Sequence, residues 1–140
     1  MENQISQLIN HLQHIGIPVT NVLTSELFYN QFGFSKVMQS EFREDCGNGT
    51  CVMMKNKGII LELYQFPEQM LQEVRDRKDG HIDHITFDVD DIDLTFNLLK
   101  QASFNVIEPA PVFLPFWENG CKYFNILGPD SERLEFNQLL

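Results

Sequence analysis

Four residues of this 140-residue sequence have the types and spacing to hold a divalent metal ion: His14, Glu62, His84 and Glu135. The two histidines stand 70 residues apart and the two glutamates 73 apart. Each pair has similar surroundings. His14-Ile15-Gly16-Ile17-Pro18-Val19 resembles His84-Ile85-Thr86-Phe87-Asp88-Val89, and Leu61-Glu62-Leu63-Tyr64-Gln65 resembles Leu134-Glu135-Phe136-Asn137-Gln138. A neutral imidazole and a carboxylate suit a borderline or moderately hard cation. Four such ligands with waters complete an octahedral Ni²⁺, Co²⁺ or Mn²⁺ site, or hold Zn²⁺ with one or two waters. An ion so placed can act as a Lewis acid on substrate oxygens and stabilise negative charge that develops there. A carboxylate at the metal's edge can be the base.

These residues need strands to position them. Side chains alternate between the faces of a strand, so the histidines lie opposite Ile15, Ile17 and Val19 and opposite Ile85, Phe87 and Val89. The glutamates lie opposite Leu61 and Leu63 and opposite Leu134 and Phe136. All four therefore point away from the face that packs on helices, and two modules placed together bring them onto one concave surface.

The repeat extends beyond the strands. At the same offset Val22 faces Ile92, Phe28 faces Leu98 and Phe34 faces Phe104. The first module, about 12–66, reads as a strand near 12–19, a helix near 21–32 and strands near 34–42, 50–56 and 58–66. Thr20 or Asn21 caps the helix and Gly33 ends it. Leu23, Leu27, Phe28 and Phe32 form its apolar face. Gly47-Asn48-Gly49 and Asn56-Lys57-Gly58 are turn signals. A linker, about 67–81, has a short helical pattern around Met70, Leu71 and Val74. The second module, about 82–138, has a strand near 82–89 and a helix near 91–102. Asp90 or Asp91 caps that helix, with Ile92, Phe96 and Leu99 on one face. A Pro-rich loop from Glu108 to Pro115 follows, then strands near 121–127 and 132–138 around the turn Gly128-Pro129-Asp130-Ser131. The expectation is a single α+β domain of two repeated βαβββ modules forming a curved mixed sheet with helices on the outer face.

Composition narrows the partners. A net charge of −10 and no Lys/Arg cluster exclude a nucleic-acid footprint and disfavour anionic membranes. No apolar run is long enough to span a bilayer, and no basic-then-apolar leader opens the chain. Cys46, Cys51 and Cys121 form no disulfide framework, so a cytoplasmic protein with reduced thiols is expected. His11 and His81 repeat at the same offset, but i and i+3 face opposite sides of a strand, which turns them from the metal. Phe113, Phe116 and Trp117 in the Pro-rich loop could wall a substrate pocket, or could pack over the open end of the sheet or at a dimer interface.

His14-Ile-Gly-Ile-Pro-Val, Phe28-Tyr29-Asn30-Gln31-Phe32-Gly33-Phe34, Leu61-Glu62-Leu63, Asp83-His84-Ile85 and Gly128-Pro129-Asp130 leading to Leu134-Glu135-Phe136 together resemble the vicinal oxygen chelate superfamily. That group includes glyoxalase I, fosfomycin-resistance proteins, methylmalonyl-CoA epimerase and extradiol dioxygenases. The resemblance runs from about residue 12 to 138. It implies that His14, Glu62, His84 and Glu135 match the glyoxalase I metal quartet, with one divalent ion (Ni, Zn, Co or Mn) per site. It further implies a lyase or isomerase acting on a thiol–ketoaldehyde hemithioacetal through a metal-stabilised enediolate, with Glu135 as leading base and Glu62 as second shuttle. The linker differs from the glutathione-contacting stretch of bacterial glyoxalase I, so the thiol stays open. The resemblance also admits an epimerase, a thiol transferase, a ring-cleaving dioxygenase or a metal-free binding protein of the bleomycin-resistance type. A homodimer is expected.

Overall fold

The computed structural model describes residues 4–77, 82–127 and 133–140. Among these are nine strands and four α-helices, an α+β chain with both parallel and antiparallel strand neighbours. The chain divides into two compact units, His14–Asp83 and Met1–Gln13 with His84–Leu140. Strand β1 (Ile9–Pro18) gives its first residues to the second of these and its remainder to the first.

In the unit His14–Asp83, β1 runs parallel to β4 (Ile59–Gln65), with Gly16 facing Glu62. Strand β3 (Gly47–Asn56) pairs antiparallel with β4 and with β2 (Ser35–Glu44). Helix α2 (Val22–Asn30) connects β1 to β2. Val19, Val22, Val52, Met54, Leu61 and Leu63 form the core, with Ile15, Ile17, Tyr29 and Phe34 packed on it. The alternating residues Ile15/Ile17 and Leu61/Leu63 thus face the helix, as period-two patterning requires.

Two sequence expectations change here. The apolar residues Leu23, Leu27, Phe28 and Phe32 are exposed, Leu23 at 66% and Leu27 at 68%. Helix rotation is set at its start, where Asn21 Oδ1 accepts from the Thr24 N–H and Gln65 Oε1 accepts from the Val22 N–H. That register turns Val22 and Tyr29, one i,i+7 step apart, toward the sheet. Gly47-Asn48-Gly49 is strand, and the turn is Asp45-Cys46, because Glu44 pairs with Gly47. Gly49 is required where the Phe42 ring and the Gln65 carbonyl close over it, leaving no room for a Cβ. Lys57-Gly58 does form a turn. The linker contains a 3₁₀ turn at Glu68–Met70 and α3 at Leu71–Asp76, matching the short helical pattern.

In the other unit, β5 (His84–Val89) runs parallel to β9 (Arg133–Leu139), and β8 (Cys121–Leu127) pairs antiparallel with β9. Two short strands, β6 (Asn105–Val106) and β7 (Val112–Leu114), pair with β8. The stretch read as loop from Glu108 to Pro115 therefore contains a strand. It is short because Pro111 and Pro115 lack the N–H that a longer ladder needs. Helix α4 (Ile92–Gln101) buries Ile92, Thr95, Phe96 and Leu99, the face expected, and Asp91 caps it by accepting from the Leu94 N–H. Phe124 stacks on Phe136 at 5.3 Å and meets Phe96 edge-on at 5.2 Å. Val89, Ile92, Leu99 and Ile126 complete this core. A short helix unforeseen in the sequence, α1 (Gln4–Leu8), adds Ile5, and Ile9 of β1 packs beside it. The turn Gly128-Pro129-Asp130-Ser131 and His81 lie outside the described residues. Among the described residues no helix is long and apolar enough to cross a membrane.

Candidate metal centre

Each unit carries one of the two predicted His–Glu pairs. In the unit His14–Asp83, His14 Nε2 lies 3.5 Å from Glu62 Oε2. The parallel β1/β4 register puts Glu62 beside Gly16, on the face opposite Ile15, Leu61 and Leu63. Met53 is the cross-strand neighbour of Glu62 on β3. The imidazole of His14 is buried, whereas Glu62 is partly open.

In the second unit, His84 Nε2 lies 3.4 Å from Glu135 Oε2, and both residues are buried. Thr86 faces Glu135 across β5/β9. Burial pushes the Glu135 carboxyl above the usual carboxylate range, and the charge of Glu108 adds to that. The nearby His84, the Asn137 amide and Arg133 act in the opposite direction.

Two ligands bound at about 2.0–2.2 Å to adjacent positions of one ion stand roughly 3 Å apart. Both His–carboxylate separations fit that spacing, and the donor set is a neutral nitrogen with a hard oxygen in each pair. The residues present therefore suit a borderline divalent cation.

Polar residues that the sequence reading did not single out surround the second pair. Asn137 Nδ2 donates to Glu135 Oε1 at 3.1 Å, and Gln13 Nε2 contacts Asn137 Oδ1 at 3.3 Å and Asp88 Oδ1 at 2.9 Å. Asn125 is the antiparallel partner of Glu135 on β8. Thr86, Asn125 and Asn137 are all buried. One signal was available: residues i and i+2 share a strand face, so Thr86 accompanies His84 and Asn137 accompanies Glu135.

Other expected residues fall elsewhere. Phe113 pairs with Lys122, on the β8 face that carries Phe124 rather than Asn125, and is 56% exposed with its ring over Gly120. Phe116 is buried, and Trp117 takes a positive φ of 66°. His11 is mostly exposed, 4.0 Å from Asp88. Cys46 is exposed, and Cys51 and Cys121 are buried thiols.

Comparison with known proteins agrees with this architecture. The curated protein YwkD of Bacillus subtilis (strain 168), described as uncharacterized, is 27% identical over 106 residues, covering 75% of this chain and 79% of YwkD. Methylmalonyl-CoA epimerase from Mycobacterium tuberculosis has a similar fold, with a TM-score of 0.77 at 16% identity over 99% of this chain and 94% of that one. Another methylmalonyl-CoA epimerase structure gives 0.76 at 17% identity, over 95% and 97%. A variant of 4-hydroxymandelate synthase from Streptomyces coelicolor gives 0.73 at 16% identity, over 93% of this chain and 49% of that one. The sequence pattern of the Glyoxalase/Bleomycin resistance protein/Dioxygenase superfamily matches residues 9–136, nearly the whole chain, and this protein belongs to that superfamily.

Proposed function

We propose that this protein is a divalent-metal-dependent lyase or isomerase similar to glyoxalase I. The observation that carries the reading is the repeated His–carboxylate pair, His14/Glu62 and His84/Glu135, at nearly equal spacing. Each pair supplies two donors, fewer than the three or four protein ligands that usually hold a metal of this kind. The proposal is that both pairs serve one Ni²⁺, Zn²⁺, Co²⁺ or Mn²⁺ ion in a homodimeric protein. When bound, that ion supplies Lewis-acid polarisation of two neighbouring substrate oxygens.

The chain's own residues then divide the work. Glu135 takes the proton from the carbon beside the substrate carbonyl. Asn137 holds Glu135 Oε1 and fixes which oxygen is offered. Glu62 is the second shuttle: it would deliver a proton of its own to the neighbouring position, and exchange with solvent would then take the abstracted proton from Glu135 and reprotonate Glu62. Thiol adducts of a ketoaldehyde are the proposed substrates, with Phe116 and Trp117 against the thiol arm.

The likeness to methylmalonyl-CoA epimerases favours a second reading, in which the proton returns to the same carbon and configuration inverts. Both reactions begin with the same C–H cleavage. The test is metal content by elemental analysis, then turnover of methylglyoxal hemithioacetals with several thiols and of methylmalonyl-CoA. Near-stoichiometric metal, lost in a His14→Ala, Glu62→Ala double variant, supports the centre. Glu135→Gln should lower turnover at least 100-fold while leaving metal bound, since general-base catalysis contributes about 10²–10⁴. Undiminished turnover would remove Glu135 from this role. Inability to take up any divalent metal would leave a metal-free binding protein as the better reading.

A further inference from the structure

Asn125 is 4% exposed, and its Oδ1 is a buried atom with no hydrogen-bond partner among the described residues. Its other polar atoms are all engaged on one side. Glu108 Oε2 accepts from the Asn125 backbone N–H at 2.6 Å, and Glu108 Oε1 accepts from Nδ2 at 2.8 Å. The Ile107 N–H donates to the Asn125 carbonyl at 2.9 Å. A carboxylate only accepts, so it fixes the amide with its nitrogen toward Glu108. Flipping the amide would set oxygen against oxygen. The carbonyl Oδ1 is therefore held on the side away from Glu108.

Asn125 and Glu135 are directly opposite on β8 and β9. Both backbone groups of Asn125 turn to the 107–108 segment, so this is a pair without mutual backbone bonds, the kind whose side chains approach more closely. A fixed, buried acceptor beside the proposed base calls for a donor.

We propose that Asn125 Oδ1 reads a hydrogen-bond donor, an N–H or O–H, carried by the substrate next to the two oxygens that face the metal. The inference rests on the metal-dependent reading above and adds to it a substrate class: compounds with a donor vicinal to the reacting carbonyl. Glu108 is the positioning residue that keeps the amide from rotating. A site built to accept from a donor discriminates strongly against an analogue lacking one, because its own polar atom stays unpaired.

Acetohydroxamate and N-methylacetohydroxamate test this. Both present two neighbouring oxygens to a metal, and only the first carries an N–H. Their dissociation constants would be measured by titration calorimetry on the Ni²⁺- or Zn²⁺-loaded protein and on loaded Asn125→Ala and Glu108→Gln variants. The expected result is at least a tenfold preference for acetohydroxamate in the wild type. Asn125→Ala should abolish the preference and Glu108→Gln should reduce it, with metal content unchanged in both. Should Asn125→Ala not fold, Glu108→Gln alone decides, and an undiminished preference there overturns the proposal. Equal affinity for the two probes in the wild type also overturns it and leaves the metal-dependent reading intact. Binding of neither probe by metal-loaded protein overturns both, and failure to load metal at all overturns the underlying reading first.

Discussion

At the scale of single residues, surroundings separate groups that the sequence presents as equals. Glu62 and Glu135 occupy matching positions in the repeat and their side chains are almost equally exposed, at 13% and 11%, yet Glu135 has Thr86, Asn125 and Asn137 around it whereas Glu62 has Gly16 and Met53 as cross-strand neighbours. Burial raises the Glu135 carboxyl above the usual carboxylate range. Phe124 shows the same dependence on context. It is fully buried, stacked on Phe136 and edge-on to Phe96. Truncation to alanine removes two ring contacts and leaves a cavity that the sheet cannot close, so Phe124→Ala should cost about 3–5 kcal/mol. Chemical denaturation would measure it, and a cost under about 1 kcal/mol would mean this core relaxes freely. The internal repeat and a strand period of two singled out His14, His84, Glu62 and Glu135 as residues leaving the apolar face, and each histidine does lie beside its glutamate. Asn125 was not legible. Its role depends on Glu108, 17 residues away in sequence, and on an amide orientation that no pattern encodes.

At the scale of elements, the repeat was a better guide than apolar composition. Helix α4 buries Ile92, Phe96 and Leu99. Shifting those positions by 70 gives Val22, Glu26 and Tyr29, and Val22 and Tyr29 do pack on the core. Counting hydrophobic residues instead selected Leu23, Leu27, Phe28 and Phe32, which are exposed. The error is physical: with apolar residues on both sides, composition cannot set the helix's rotation, and the contacts at its start do. Leu27→Gln should then change stability by less than about 0.5 kcal/mol. Val22→Ala, which removes two buried methyl-sized groups, should cost about 1.5 kcal/mol. A reversed order in urea denaturation would mean that the exposed stripe is covered in solution. The helix starts repeat as well. Gln65 Oε1 accepts from the Val22 N–H at 2.9 Å, and Gln138 Oε1 accepts from the Ile92 N–H at 3.0 Å. Each closing strand thereby satisfies an N–H that has no partner within its helix. Gln65→Ala and Gln138→Ala should each destabilise by about 1 kcal/mol. Because the two contacts lie in different units, the double variant should show the sum. A double variant no worse than either single one would show that the two helix starts are coupled.

At the scale of the whole molecule, metal binding provides a test that no single unit can. Each unit has its own apolar core and its own His–carboxylate pair. Ligand binding to the folded state adds RT ln(1 + [L]/Kd), about 2.7 kcal/mol at 100 times Kd. If one ion engages both pairs, removing either pair abolishes the whole shift. If each pair bound its own ion, removing one would leave about half. Thermal unfolding of the His14→Ala, Glu62→Ala variant and of a His84→Ala, Glu135→Ala variant, with Ni²⁺ or Zn²⁺ titrated in, distinguishes these cases. The expected outcome is a clear rise in midpoint for the wild type and none for either variant. The net charge of −10 attracts divalent cations without specificity, so the same titration needs Mg²⁺ as a control. Mg²⁺ prefers all-oxygen ligands, whereas imidazole favours Ni²⁺ and Zn²⁺. A midpoint that rises equally with Mg²⁺, or that rises by half in each variant, would count against a shared four-residue centre. The first pattern would assign the effect to surface charge, and the second to two separate weak sites.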